Sequence, residues 1–170
     1  MKKIVILAGS PHKQGNTYKL VDAFQQGIND YEVKVLPIGN MKIHSCMACE
    51  FCHTAGNGKC LQKDDMAEVA NALMEADAVV IASPVYYLGL SGQMQNCLSR
   101  WYAFRKPAKA VKYALLLASG SANVYGAIET QIKGLAAHFE AEFVGTVTTS
   151  MEENNLNKAL DSAKALAEKF

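Results

Sequence analysis

Apolar and polar positions alternate along the chain in blocks that predict five strands and five helices in turn. The predicted strands are short apolar runs rich in β-branched residues. They lie near residues 3–8, 32–36, 78–83, 112–118 and 142–148. The predicted helices are segments in which apolar residues recur every three or four positions. They lie near residues 16–29, 64–76, 92–104, 125–138 and 153–169. Strands that alternate with helices predict an α/β domain whose parallel sheet is covered on both faces.

Five such strands fit a flavodoxin-like, doubly wound parallel sheet of order 2-1-3-4-5 with helices on both faces. In this arrangement a ligand binds outside the carboxyl ends of the strands, beside the first strand. A chain of 170 residues is long enough for one compact core, so we expect a single domain over residues 1–170. The loops after strands one, three and four are therefore expected to form the site.

The loop after the first strand has the composition of a phosphate-binding turn. It follows the apolar run 4–7 and ends at Asn16 and Thr17, which are typical N-cap residues of the next helix. Free backbone N–H groups and the positive end of a helix dipole both attract an anion. The dinucleotide fingerprint and the P-loop signature are both missing, which favours a terminal phosphate monoester over a buried pyrophosphate. The alternative is an ordinary strand-to-helix turn in which Gly15 serves only backbone geometry.

The loop after the third strand offers a flat aromatic surface. Pro84 stiffens the turn, Tyr86 and Tyr87 offer ring faces, and Gly89 permits close approach of another group. These features suit a planar ring system as the ligand. The alternative is that the tyrosines are half-buried packing residues.

A long loop from Pro37 to about Lys63 connects the second strand to the second helix, and long loops in compact domains are usually functional or disordered. Its cysteine-rich part, at about residues 40–63, has the pattern C-x2-C-x2-C-x7-C. The four cysteines are Cys46, Cys49, Cys52 and Cys60. The first three share the spacing of ferredoxin-type cluster sequences, whereas the fourth lies farther away. A [4Fe–4S] cluster, free or redox-active thiols, and a zinc site all remain open.

Charge and hydropathy exclude two classes of partner. Seventeen basic and sixteen acidic residues give a net charge of +1, with no long basic run, so we expect no nucleic-acid binding. The apolar run after Lys2 and Lys3 is too short for a signal peptide, and no segment has the length of a membrane span. We expect a cytoplasmic protein without a membrane partner, whose thiols serve redox or metal chemistry rather than disulfides.

Three motifs, taken together and in order, resemble the NADPH-dependent FMN reductase and iron-sulfur flavoprotein families. They are GSPHKQGNT after the first strand, CMACEFCHTAGNGKCLQKDDM in the long loop, and SPVYYLGLSGQMQNCLSR after the third strand. The resemblance extends over nearly the whole chain. It implies a flavodoxin-like fold, bound FMN and assembly into a homodimer or homotetramer.

Carried over by position, the resemblance assigns three groups of residues to FMN. The phosphate would be held by Ser10, His12, Gly15, Asn16 and Thr17. The isoalloxazine ring would be lined by Pro84, Val85, Tyr86 and Tyr87, and its other side would be closed by Ser119 and Gly120. Related loops commonly carry Arg where His12 stands, so Lys13 and backbone N–H groups would have to compensate for a neutral histidine.

The resemblance implies an FMN-dependent NAD(P)H oxidoreductase that reduces flavins, quinones or similar small acceptors. The flavin itself accepts the hydride from the nicotinamide, so no catalytic side chain is expected. The alternative is an iron-sulfur flavoprotein or flavodoxin-type carrier that relays electrons between FMN and a [4Fe–4S] cluster or ferredoxin. The cluster would be held by Cys46, Cys49, Cys52 and Cys60. A near-neutral charge argues against a carrier, which benefits from a charged docking face. A third class, a thiol-based redox sensor or metal-binding module, rests on the cysteines alone.

Overall fold

The computed structural model describes all residues 1–170, and the expected strands and helices occur in the expected order. The strands are β1 (Lys2–Ala8), β2 (Tyr31–Leu36), β3 (Ala78–Tyr86), β4 (Gly89–Leu90), β5 (Lys112–Ser119) and β6 (Glu142–Ser150). The helices are α1 (Asn16–Gly27), α2 (Met66–Glu75), α3 (Gly92–Arg100), α4 (Gly126–His138) and α5 (Leu156–Ala167). Short 3₁₀ turns occupy Ile38–Asn40, Phe51–His53 and Trp101–Ala103.

The five long strands form one parallel sheet of order β2-β1-β3-β5-β6. When the short strand β4 is left out and the five long strands are numbered along the chain, this is the predicted order 2-1-3-4-5. The two-residue strand β4 was not predicted. It folds back antiparallel onto the end of β3. The register places Ala8 of β1 opposite Ala82 of β3, and Pro84 of β3 opposite Ala118 of β5. The carboxyl ends of these three strands therefore lie side by side.

Hydrophobic residues pack on both faces of the sheet. Helices α2, α3 and α4 cover one face, where they contact Val5, Val79 and Leu115. Helices α1 and α5 cover the other face, which carries Ile4 and Val80. Successive residues of a strand point to opposite faces, so a strand buried on both faces appears in the sequence as a continuous apolar run. No helix is both long and apolar enough to cross a bilayer.

The predicted helix 92–104 ends earlier than expected. Regular α-helix α3 stops at Arg100, and residues Trp101–Ala103 form a 3₁₀ turn. This change brings Trp101 into the core, where it is 3% exposed, while Tyr102 faces outward. The position of Arg100 at the end of α3 is important for the site described below.

Candidate functional site

The loop between β1 and α1 leaves the start of the helix open. Gly15 is the N-cap of α1, and its carbonyl oxygen accepts hydrogen bonds from the N–H groups of Tyr18 at 3.1 Å and Lys19 at 3.2 Å. The prediction that Asn16 or Thr17 caps the helix was wrong, because both residues already lie in its first turn. No side chain caps the helix. The N–H groups of its first turn can therefore meet an anion.

The predicted phosphate residues lie together in this loop. The Gly15 N–H donates to the His12 carbonyl oxygen at 3.0 Å, and the His12 N–H donates to Ser10 Oγ at 3.2 Å. Ser10 and Thr17 are buried, Asn16 is partly buried, and His12 is exposed. The loop is thus a closed turn with two hydroxyl side chains on its inner side and an imidazole at its outer edge.

A residue that the sequence analysis missed supports the backbone of this loop. Gly39, in the 3₁₀ turn after β2, lies against the peptide between Ser10 and Pro11. A Cβ at Gly39 would overlap the Ser10 carbonyl group and come within 2.6 Å of the Pro11 nitrogen. Asn40 Nδ2 also donates to the Pro11 carbonyl oxygen at 3.2 Å. No local motif marks Gly39, since its role depends on the pairing of β1 with β2.

The loop after β3 is a tight hairpin that exposes its aromatic side chains. Tyr86 pairs with Gly89, and the two residues of the turn, Tyr87 and Leu88, have positive φ angles of 47° and 65°. Such angles suit a two-residue hairpin turn but are uncommon for large side chains. Tyr86 is 57% exposed and Tyr87 is fully exposed. The alternative that both tyrosines are half-buried packing residues was therefore wrong.

Buried hydrogen bonds fix this hairpin to the first loop. The Gly9 N–H donates to the Ala82 carbonyl oxygen at 2.7 Å, and Ser91 Oγ donates to the Gly9 carbonyl oxygen at 2.8 Å. The Ser91 N–H donates to Ser83 Oγ at 3.0 Å. Ser83 and Ser91 are both fully buried. Neither serine was predicted as a site residue, although both position the loops that were.

The loop after β5 lies at the same edge of the sheet. The Ser119 and Tyr125 hydroxyls are 2.6 Å apart, and Ser119 Oγ donates to the Ser121 carbonyl oxygen at 2.6 Å. The Ser119 side chain thus stabilises the loop itself. Gly120 is exposed, and a Cβ there would meet no atom within 4 Å. The open part of this loop is its backbone at Gly120.

The four cysteines of the long loop surround one small cavity at a different place in the molecule. We call residues 46–60 the cysteine segment. The cavity is lined by Cys46, Met47, Cys49, Glu50, Cys52, Cys60, Gln62, Arg100, Tyr102 and Ala103. Cys46 and Cys49 are exposed, Cys60 is partly buried and Cys52 is buried. Desolvation raises the pKa of the Cys52 thiol.

The side chains of the cysteine segment are not arranged around a single metal ion. No group of three His, Cys, Asp or Glu side chains has that geometry. Tetrahedral zinc would require four sulfurs at about 2.3 Å from one point. The arrangement therefore gives no support to the zinc alternative. The cavity is lined by four cysteines, and four is the number of thiolates that bind a [4Fe–4S] cluster.

Next to this cavity lies a buried ion pair that the sequence analysis did not identify. Arg100 Nη1 and Nη2 donate to the two carboxylate oxygens of Asp64 at 2.6 and 3.2 Å, and the side chains are 2% and 4% exposed. Asp64 also accepts the N–H groups of His44 and Met66 at 3.0 and 3.2 Å. Burial opposes ionisation of Asp64, but Arg100 and the two N–H groups outweigh it and hold the pKa of Asp64 below its usual value.

A larger cavity, of about 980 Å³, lies between the cysteine segment and α2. It shares Cys60, Gln62, Arg100 and Ala103 with the smaller cavity, so these four residues stand in the wall between the two. The edge formed by the loops after β1, β3 and β5 is open by comparison, because Tyr86 and Tyr87 project into solvent there.

Comparison with known proteins places the chain among flavoproteins. Residues 2–155 match the family described as NADPH-dependent FMN reductase. Over the whole chain and 80% of the relative, the sequence is 32% identical to an iron-sulfur flavoprotein of Archaeoglobus fulgidus. The chain spans about half the length, 51%, of an iron-sulfur flavoprotein of Methanocaldococcus jannaschii, to which it is 31% identical over 58% of its own length.

Solved structures confirm the flavodoxin-like fold. An azoreductase from Bacillus anthracis superimposes with a TM-score of 0.74 at 19% identity, covering 100% of both chains. An FMN-dependent NADH-azoreductase from the same species, in complex with FMN, gives a TM-score of 0.70 at 14% identity and covers 99% of both chains. At such low identity these likenesses show the fold.

Asp64→Asn should destabilise the protein by about 3 kcal/mol, because it leaves the Arg100 charge buried without its partner. Glu75→Gln is the matched control. Glu75 also lies 2.6 Å from a cation, Lys3, but both side chains of this pair are exposed, so little change is expected. Urea denaturation of both variants measures the difference. Equal losses of stability in Asp64→Asn and Glu75→Gln would contradict the role assigned to burial of the ion pair.

The same variant carries a pH signature. The pKa of Asp64 is lower in the folded chain than in the unfolded chain. The stability that its negative charge contributes is therefore fully present above about pH 4, near the pKa of an unfolded aspartate, and is lost as the pH falls further. The stability gap between Asp64→Asn and the unaltered protein should therefore narrow on acidification.

Proposed function

We propose, because this chain belongs to the NADPH-dependent FMN reductase family, that it is an FMN-dependent NAD(P)H oxidoreductase acting on flavins, quinones or similar small acceptors. One observation supports this most strongly. Three loops converge on one edge of the sheet, where an uncapped helix start lies beside a pair of exposed tyrosines. An anion site next to flat aromatic surfaces matches the chemistry of FMN, which joins a phosphate to a planar ring.

The phosphate is proposed to bind the loop between β1 and α1. Ser10 and Thr17 would offer hydroxyl groups, and the open first turn of α1 would offer N–H groups and the positive end of its dipole. His12 and Asn16 border the same turn, and Gly15 keeps its N-terminal end free of a capping side chain. Lys13 is exposed beside them and supplies the positive charge that His12 lacks when it is neutral.

The ring is proposed to lie on the hairpin after β3. Pro84 and Val85 form its base, and Tyr86 and Tyr87 provide exposed aromatic surface. Ser119 ends the neighbouring strand β5 and Gly120 follows it, so both stand beside the hairpin. The unobstructed backbone at Gly120 allows close approach to the opposite side of the ring.

When bound, FMN would supply the redox chemistry, accepting a hydride from NAD(P)H and passing electrons on to the acceptor. The protein's own residues bind and orient it. The buried bonds of Ser91 to Gly9 and Ser83 hold the phosphate loop and the hairpin at a fixed separation. No side chain is proposed to donate or remove a proton.

A second candidate function is that of an iron-sulfur flavoprotein. The observation that favours it is the single cavity shared by Cys46, Cys49, Cys52 and Cys60. The relatives with the same description in their names are consistent with it. In this case the four thiolates would hold a [4Fe–4S] cluster that exchanges electrons with FMN or with a ferredoxin.

Anaerobic purification tests both candidate functions. The protein should carry FMN, and addition of NADH or NADPH should bleach the flavin absorption. Analysis of iron, labile sulfide and zinc in the same sample decides the state of the cysteines. Absence of FMN would rule out the proposed function. Slow bleaching by nucleotides together with fast reduction by ferredoxin would instead identify a carrier.

Thr17→Ala should weaken FMN binding about tenfold or more, because a hydrogen bond to a charged group contributes about 1.5–3 kcal/mol. Thr130→Ala is the control, since Thr130 lies exposed on α4 and its hydroxyl donates to the Gly126 carbonyl oxygen. Fluorescence titration of the flavin-free proteins with FMN gives both affinities. Unchanged affinity in Thr17→Ala would contradict the proposed phosphate site.

We also propose that a second copy of the chain completes the flavin pocket in a homodimer or homotetramer. Tyr86, Tyr87 and Leu88 form an exposed apolar tip beside the open edge, and Tyr87 is wholly in solvent. Sedimentation analysis of the FMN-bound protein should show a dimer or a tetramer. A monomer at micromolar concentration would refute this assembly.

A further inference from the structure

Arg100 has one buried nitrogen that neither the fold nor the proposed flavin site uses. The side chain is 2% exposed at the end of α3. Nη1 donates to Asp64 at 2.6 Å and to the His44 carbonyl oxygen at 3.0 Å, and Nη2 donates to Asp64 at 3.2 Å. The buried Nε has no hydrogen-bond partner. A buried donor without a partner is costly, and among the six buried side-chain atoms of the chain that have none, Arg100 Nε is the one whose residue lines the cavity of the cysteine segment.

The surroundings of Arg100 indicate what the missing acceptor is. Arg100 lines the small cavity together with all four cysteines of the cysteine segment. The carboxylate in that wall belongs to Glu50, which already accepts a hydrogen bond from the Tyr102 hydroxyl at 2.9 Å. Apart from the Gln62 amide oxygen and the Tyr102 hydroxyl, the side-chain acceptors left on this cavity are sulfur atoms, and Cys60 is the one that acts on the guanidinium group.

We propose that Arg100 Nε donates a hydrogen bond to the sulfur of an anionic iron–sulfur group held by Cys46, Cys49, Cys52 and Cys60, and that Arg100 thereby raises its reduction potential. This inference rests on the second candidate function above. The guanidinium orientation of Arg100 is fixed by the two-pronged contact with Asp64, and Nε is the guanidinium nitrogen that this contact leaves without a partner.

The expected rise in the reduction potential follows from the charge of the cluster. Four thiolates around an oxidised [4Fe–4S] core with a charge of 2+ give a net charge of 2−. One electron, from reduced flavin or from dithionite in the test, makes it 3−. A hydrogen bond to sulfur stabilises the more negative form and so favours reduction. Asp64 balances the unit charge of Arg100, so the specific contribution of Arg100 is the donor rather than its net charge.

The test is Arg100→Lys, which keeps a cation opposite Asp64 but removes the Nε donor. The chain contains one other arginine, Arg105, which is exposed, so Arg105→Lys is the matched control. Iron, labile sulfide and FMN are measured first in the anaerobic full-length proteins. Spectroelectrochemical titration should then show reduction of the cluster about tenfold less favourable in Arg100→Lys, which is about 59 mV for one electron. The flavin potential and Arg105→Lys should match the unaltered protein.

A second measurement does not depend on folding of Arg100→Lys. In Arg105→Lys labelled with ¹⁵N-arginine, Arg100 is the sole labelled residue. Pulsed EPR of the reduced cluster should detect its nitrogen. Absence of this coupling, or an unchanged potential in Arg100→Lys, would overturn the proposal. FMN without iron and sulfide, or zinc in their place, would also overturn it while leaving the FMN-dependent function intact.

Discussion

The hydrogen bond from the Ser91 hydroxyl to the Gly9 carbonyl oxygen is the contact on which the candidate flavin site depends. It joins the end of β1 to the end of the hairpin after β3, and both partners are buried. The space between them is fully used, since a Cβ at Gly9 would lie 2.9 Å from Ser91 Oγ. The same oxygen accepts the Met94 N–H at 3.3 Å and thereby caps α3. One hydroxyl thus positions the phosphate loop, the hairpin and the helix that ends at Arg100.

The strands, their order and the three loops of the site could be predicted because each depends on local sequence. A strand buried on both faces is a continuous apolar run, and parallel strands place their following loops at one edge. Gly39, Ser83 and Ser91 could not be predicted, since their roles depend on contacts between segments distant in the sequence. The N-cap was misassigned by one or two residues because Gly15 provides no side-chain signal. The roles given to the predicted FMN residues remain predictions.

The ion pair of Arg100 and Asp64 shows why distance alone does not measure the importance of a charge contact. Lys3 and Glu75 approach equally closely, at 2.6 Å, but in solvent, where water screens the attraction. Burial makes Arg100 and Asp64 dependent on each other and on the backbone groups of His44 and Met66. A buried pair is seldom the most stable solution for its site, and replacement by apolar residues is often neutral or better. Its position beside the cavity of the four cysteines is consistent with a role in orienting a donor toward them.

The two sites of the molecule are connected through α3. Ser91 at its start contacts the phosphate loop, and Arg100 at its end contacts the cysteine segment. A nine-residue helix is about 13 Å long at 1.5 Å per residue, so the ends are near each other on the scale of the domain. At one end of α3 the hairpin exposes the aromatic rings of Tyr86 and Tyr87 to water. At the other end the buried Arg100 Nε has no hydrogen-bond partner, which is unfavourable in this chain alone. Because α3 begins at Ser91 and ends at Arg100, the geometry of both sites depends on the placement of this one helix.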